Sequence, residues 1–142
     1  MKTGLQMVKD GFTLVNVDAV NNAITGNVYM FIRPKNSLLQ DVVLNTLAIT
    51  NDQFQQGVFN INIHCPNLTG VVIEGKTDNT QPDITSLNNI TNIVLSFVAD
   101  YVGSDFKVWA QNTGVLVRDV DGTWYVNIRV NYLAFQENFI NI

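Results

Sequence analysis

Over residues 124–132 every second side chain is apolar: Trp124, Val126, Ile128, Val130 and Tyr132 alternate with Tyr125, Asn127, Arg129 and Asn131. A helix cannot segregate a period of two, so this segment must lie in a sheet with one dry face and one wet face. Val115–Arg118 is its natural partner, because Asp119, Val120, Asp121 and Gly122 separate the two apolar runs and Gly accepts the positive φ of a tight turn. A further strand, Phe106–Ala110, precedes the hairpin across Asn112, Thr113 and Gly114.

The first half of the chain reads as three more strands, at 28–33, 41–49 and 58–64. In the last of these Phe59, Ile61 and Ile63 share one face, and Asn60, Asn62 and His64 share the other. Residues 41–49 carry apolar side chains at both parities, which suggests a central strand covered on both faces. Residues 12–17 fit either an additional strand or the tail of a first helix. One long helix is expected at about 84–101, where Leu87, Ile90, Val94, Phe97 and Tyr101 recur at spacings of three and four. Asp83 would cap its start and Gly103 would supply the left-handed residue at its end. The expected fold class is α+β: a mixed, mostly antiparallel sheet of about five to six strands with this helix packed on it.

At 142 residues the chain fits a single domain, 1–142, with a long loop at 66–82 and a C-terminal arm at 133–142. With 46% hydrophobic and 14% charged residues it is not a disordered acidic tail. The loop interrupts its turn formers with Val71, Val72 and Ile73, a β-branched run badly placed if it stayed exposed. Two readings stay open: a short strand added to this domain's own edge, or a contact arm ordered by a neighbouring copy. The arm carries Phe135, Phe139 and Ile140 at a terminus that ordinarily frays, so a cover is needed, either the domain's own sheet or another subunit.

Chemistry is sparse. Cys65 is the sole cysteine, which excludes an intramolecular disulfide and any multi-cysteine metal site. His64 lies beside it, yet neighbours in a strand leave opposite faces and do not readily form a nucleophile–base pair. One His with scattered carboxylates provides no metal-ligand spacing, so no metal and no cofactor are expected. Asp119 and Asp121 are better explained by turn hydrogen bonds than by acid/base work. There is no glycine-rich phosphate cradle and no Gly-x-Ser-x-Gly elbow, so no enzyme is expected and no residue is assigned a catalytic role.

Lys and Arg number 8 against 12 Asp and Glu, a net charge of -4, so tight binding to nucleic acid or to an anionic membrane is disfavoured. Neither a signal peptide nor a membrane span is expected, which points to a cytosol-like compartment. The 19 asparagines, many on the wet faces of the strands, keep those faces polar without a strong field of either sign.

Three stretches together carry a likeness: Arg33 to Ser37, then Asp41 to Leu47, then Gln56 to Leu68, followed by Gln81, Pro82 and Asp83, one helix, and strands ending in the run from Gly122 to Val130. Across about residues 28–132 the order resembles the tail-terminator, or tail-completion, proteins of tailed phages and prophages. The resemblance implies an α+β structural virion protein, assembled in a bacterial cytoplasm and resident in the tail or neck. Such proteins form rings, commonly hexameric, that cap the tail tube and join it to the head connector, with DNA only passing through. The alternatives are another neck or tail-tube protein, such as a head-closure or tube subunit, and a small-molecule-binding α+β domain. The expected subunit contacts are Val71, Val72, Ile73, Phe135, Phe139 and Ile140. The family usually opens with a helix, and residues 1–11 look too short to supply one.

Overall fold

The structure is a computed structural model and describes residues 1–51 and 54–135. It begins with a helix after all. Helix α1, Gly4–Val15, is launched by a reciprocal cap in which Thr3 Oγ1 accepts from Gln6 N at 3.1 Å and Gln6 Oε1 accepts from Thr3 N at 2.8 Å. Two otherwise orphaned donors, Thr3 N and Gln6 N, are thereby satisfied in the first turn. Met7, Val8, Gly11 and Val15 form its buried stripe. The 12–17 segment is therefore the end of this helix, followed by the single turn α2, Asp18–Asn21.

Nine strands follow: β1 Val28–Met30, β2 Asp41–Ile49, β3 Phe54–Cys65, β4 Val71–Ile73, β5 Lys76–Asp78, β6 Asp100–Val102, β7 Phe106–Ala110, β8 Val115–Arg118 and β9 Trp124–Phe135. Helix α3, Ile84–Val98, lies between β5 and β6. The main sheet runs β1-β2-β3-β9-β7-β6, with β8 also on β9, which is seven strands, one more than the sequence suggests. Only β1 and β2 are parallel. The fold class is α+β, as expected.

Helix α3 starts where the sequence puts it, with Asp83 Oδ1 accepting from Ser86 N at 3.2 Å. It stops earlier than 101. Residues 100–102 are drawn off as β6, pairing Tyr101 with Val108 and Val102 with Lys107, so Tyr101 is not on the helix stripe. Its ring lies 5.6 Å from that of Phe106 instead. Gly103 is not among the left-handed glycines, which are Gly70, Gly75, Gly114 and Gly122. The pairing ends the helix where a cap was expected to.

Strands β3 and β9 pair along their full lengths at the centre, and β2 lies one place in from the edge. The mixed parity of β2 has two causes: at its start Val42, Val43 and Leu44 are all buried, so both faces are covered there as expected, and further on the register slips between Thr46 and Ala48, leaving Leu47 as an exposed extra residue. Strand β1 is shorter than 28–33, because Phe31 turns away at φ 72 while its N–H bonds Leu44 O at 2.7 Å. Phe59, Ile61 and Ile63 of β3 and Ile128, Val130 and Tyr132 of β9 face the core beneath α1 and α3 and are essentially inaccessible. Tyr132 keeps its hydroxyl satisfied there by donating to Asp10 Oδ2 at 2.5 Å, and Asp10 is itself held by Lys2 Nζ at 2.6 Å. The polar parity of the same strands is left as an open face away from the helices.

Candidate functional site

Cross-strand register assembles the open face. Asn62 sits opposite Asn127, Asn60 opposite Arg129 and Asn45 opposite Asn60, so four asparagines from three strands meet. Asn127 Nδ2 donates to Asn62 Oδ1 at 2.8 Å and to Asn60 Oδ1 at 3.3 Å, and Asn60 Nδ2 donates to Asn45 Oδ1 at 2.9 Å. Asn112, in the turn before β8, accepts through Oδ1 from Gly114 N at 3.1 Å and from Arg129 N at 3.4 Å. Asn60, Asn62, Asn112, Asn127 and Arg129 floor a groove of about 510 Å³ that Tyr125 and Gln111 complete and that Val115 and Val117 rim. Its volume falls in the range of ordinary ligand sites. A smaller groove of about 330 Å³ adjoins Val58, Trp109 and Leu133 on the same face.

His64 closes one end of this face, its ring 5.0 Å from that of Tyr125. Burial, reinforced by the charge of Arg33, lowers its pKa to about 4, and its buried Nδ1 has no hydrogen-bond partner. Opposite it in register is Asp41, a fully buried carboxylate that accepts from Ser37 Oγ at 2.6 Å, from Arg33 Nη1 at 3.3 Å and from Asn27 N at 3.3 Å. Cys65 points the other way, into the core, where burial first and the charge of Asp83 second push its thiol up to about 12. The two neighbours do leave opposite faces. Asp119 and Asp121 spend carboxylate oxygens on the β8–β9 turn: Asp119 Oδ1 accepts from Val120 N at 2.7 Å, and Asp121 Oδ1 accepts from Thr123 N at 2.9 Å and Oγ1 at 2.6 Å. Among the described residues no group of three or more His, Cys, Asp or Glu side chains could hold a metal ion. No helix among them is long and apolar enough to cross a membrane.

The second feature is the loop. Val71, Val72 and Ile73 do not extend the main sheet; they pair with Lys76–Asp78 as a separate two-stranded hairpin, because the left-handed pair Glu74 (φ 52) and Gly75 (φ 76) reverses the chain in two residues. Val71 is half-buried, whereas Val72 and Ile73 are 65% and 47% exposed. The hairpin is anchored at its base, where Asn67 Nδ2 donates to Asn79 O and to Gly122 O, both at 3.0 Å, and Trp124 Nε1 donates to Thr80 O at 2.8 Å. It stands as an arm beside the start of β9.

Phe135 lies at the opposite end of β9, paired with Phe54, their rings edge to face at 5.5 Å. At about 3.3 Å per residue the twelve-residue strand separates it from the arm's base by roughly 36 Å. Phe139 and Ile140 lie outside the described residues. The structure does not bring the described contact residues together: Val71, Val72 and Ile73 stand beside one end of β9 and Phe135 lies at the other. Sequence reading did not single out the groove, because its floor is drawn from β3, β9 and the turn at Asn112, residues that only register makes adjacent. Compared with known proteins, the chain matches no protein-family model, and no curated protein matches it significantly.

Proposed function

We propose that this chain is a structural, non-enzymatic virion protein of a tailed phage or prophage, a tail terminator that caps the tail tube as a ring of identical copies and joins it to the head connector. The observation that carries the reading is the anchored arm with Val72 and Ile73 exposed, at the far end of β9 from Phe135. Exposed β-branched side chains on a built hairpin are poorly placed for an isolated domain and well placed for an interface. Contact patches at different ends of a subunit give heterologous association, which closes into a ring when the rotation per copy divides a full turn. A net charge of -4 lets DNA pass such a ring without adhering to it.

Native mass spectrometry of the wild type, alone and with isolated tail tubes, tests the first half. A discrete ring is expected, and Val72→Asp with Ile73→Asp should return it to monomers while circular dichroism stays unchanged. Electron microscopy of purified tails carrying a labelled copy tests the second half. Label at the head-proximal end alone is expected; label along the whole tube would make the protein a tube subunit, and a wild type that stays monomeric with and without tubes would overturn the ring.

A further inference from the structure

The amide groove is biased toward donors. Asn60, Asn62 and Asn112 all commit their side-chain oxygens to hydrogen bonds within the fold, leaving Asn127 and Gln111 as the lining amides whose oxygens have no partner among the described residues. By contrast, Asn62 Nδ2, Asn112 Nδ2 and the Arg129 guanidinium have no hydrogen-bond or ion-pair partner among the described residues. Such a floor favours an acceptor-rich anionic group. With one guanidinium present and no second cation among the lining residues, it suits a single carboxylate rather than a polyanion. The rim adds a different demand: Val115 is 49% exposed and Val117 stands beside it, so an occupant should carry apolar side chains next to its carboxylate.

The chain itself displays that combination. Glu74 is exposed at the tip of the β4–β5 arm, has no ion pair among the described residues, and directly follows Val72 and Ile73. We propose that the groove receives the arm of a neighbouring copy, with Glu74 of that copy on Arg129 and the free Asn62 and Asn112 amides, and its Val72, two residues before Glu74 and the more exposed of the arm's apolar side chains, against Val115 and Val117. This rests on the ring reading and names its contact. Arm and groove are different patches of one surface, so each copy gives an arm to one neighbour and takes an arm from the other.

A photo-crosslinking residue in place of Glu74, in a mixture of isotope-labelled and unlabelled full-length protein at high concentration, reads the contact directly. Links between copies should map to 111–117 and 125–129. Links between copies that map elsewhere, or no links between copies under conditions where the wild type is a ring by native mass spectrometry, would overturn the contact and leave the ring standing, whereas a wild type that stays monomeric with and without tubes would overturn both. Charge exchange gives a second readout: Glu74→Arg and Arg129→Glu should each weaken self-association about three- to tenfold, and the double variant should recover most of the loss. Single variants that associate like the wild type, or a double variant no better than either, would also refute the pairing.

Discussion

Gly11 sets two effects of opposite sign against each other. It lies inside α1, where replacing Gly by Ala ordinarily stabilises a helix by about 1 kcal/mol. Here the added Cβ would stand 2.7 Å from Cε2 and Cζ of Phe59 and 3.2 Å from Cδ2 of Leu44. Both side chains are wholly inaccessible, and β3, which carries Phe59, is paired on both sides, so neither ring nor backbone has room to retreat. Overpacking of this kind costs about 2–3 kcal/mol, near the upper end of its usual range. The helix gain offsets part of that, and Gly11→Ala should lose about 1–2 kcal/mol, a fall in Tm of roughly 3–8 °C for a chain of this size. Urea unfolding followed by tryptophan fluorescence measures it, and an unchanged m-value would show that stability changed without a change in the compactness of either state. Gly4→Ala in the same helix is the control, since its Cβ would meet nothing closer than Thr46 Oγ1 at 3.5 Å, and it should be neutral or slightly stabilising. A Gly11→Ala protein as stable as the wild type would refute the claim that α1 is seated flush on Phe59.

Three further outcomes follow from the same geometry. His64 has a folded-state pKa near 4 against 6.5 when unfolded, so the unfolded chain binds the extra proton between those values and stability falls as pH drops from about 6.5 to about 4. The loss should be about 1–3 kcal/mol, discounted for the ring's partial exposure, and His64→Gln should flatten that part of a pH–stability curve; an identical slope in the variant would assign it to other groups. Cys65, buried and with its thiol raised to about 12, should resist a thiol reagent at neutral pH and react fully only in denaturant, and rapid labelling of the native protein would contradict its placement. Asp83→Ala removes the cap on α3 and should cost about 1 kcal/mol by thermal unfolding, with Asp83→Asn losing much less because the amide oxygen still accepts from Ser86 N.

Much of this molecule is legible from local pattern. Alternation in β3 and β9 names the buried side chains Phe59, Ile61, Ile63, Ile128 and Val130, because successive strand residues must leave opposite faces whatever their neighbours are. Asp83 marks the start of α3 for an equally local reason, a side chain bonding a backbone three residues on. The opening helix is legible too, in the spacing of Thr3 and Gln6 that makes its cap. Other features depend on partners far along the chain. The stripe of α3 runs on to Tyr101 in the sequence, but hydrogen bonds to β7 claim residues 100–102 as a strand, and the even-handed apolar pattern of β2 conceals a register slip at Leu47. Of the four described contact residues, Val71, Val72 and Ile73 share one feature, a hairpin closed by Glu74 and Gly75 rather than by the main sheet, and Phe135 stands apart. The groove depends on tertiary structure most of all: Asn60, Asn112 and Arg129 are dispersed in sequence and meet because β3 and β9 pair in one register. A single strand's periodicity determines which side of a sheet a residue occupies, and only long-range pairing determines which residues stand beside it.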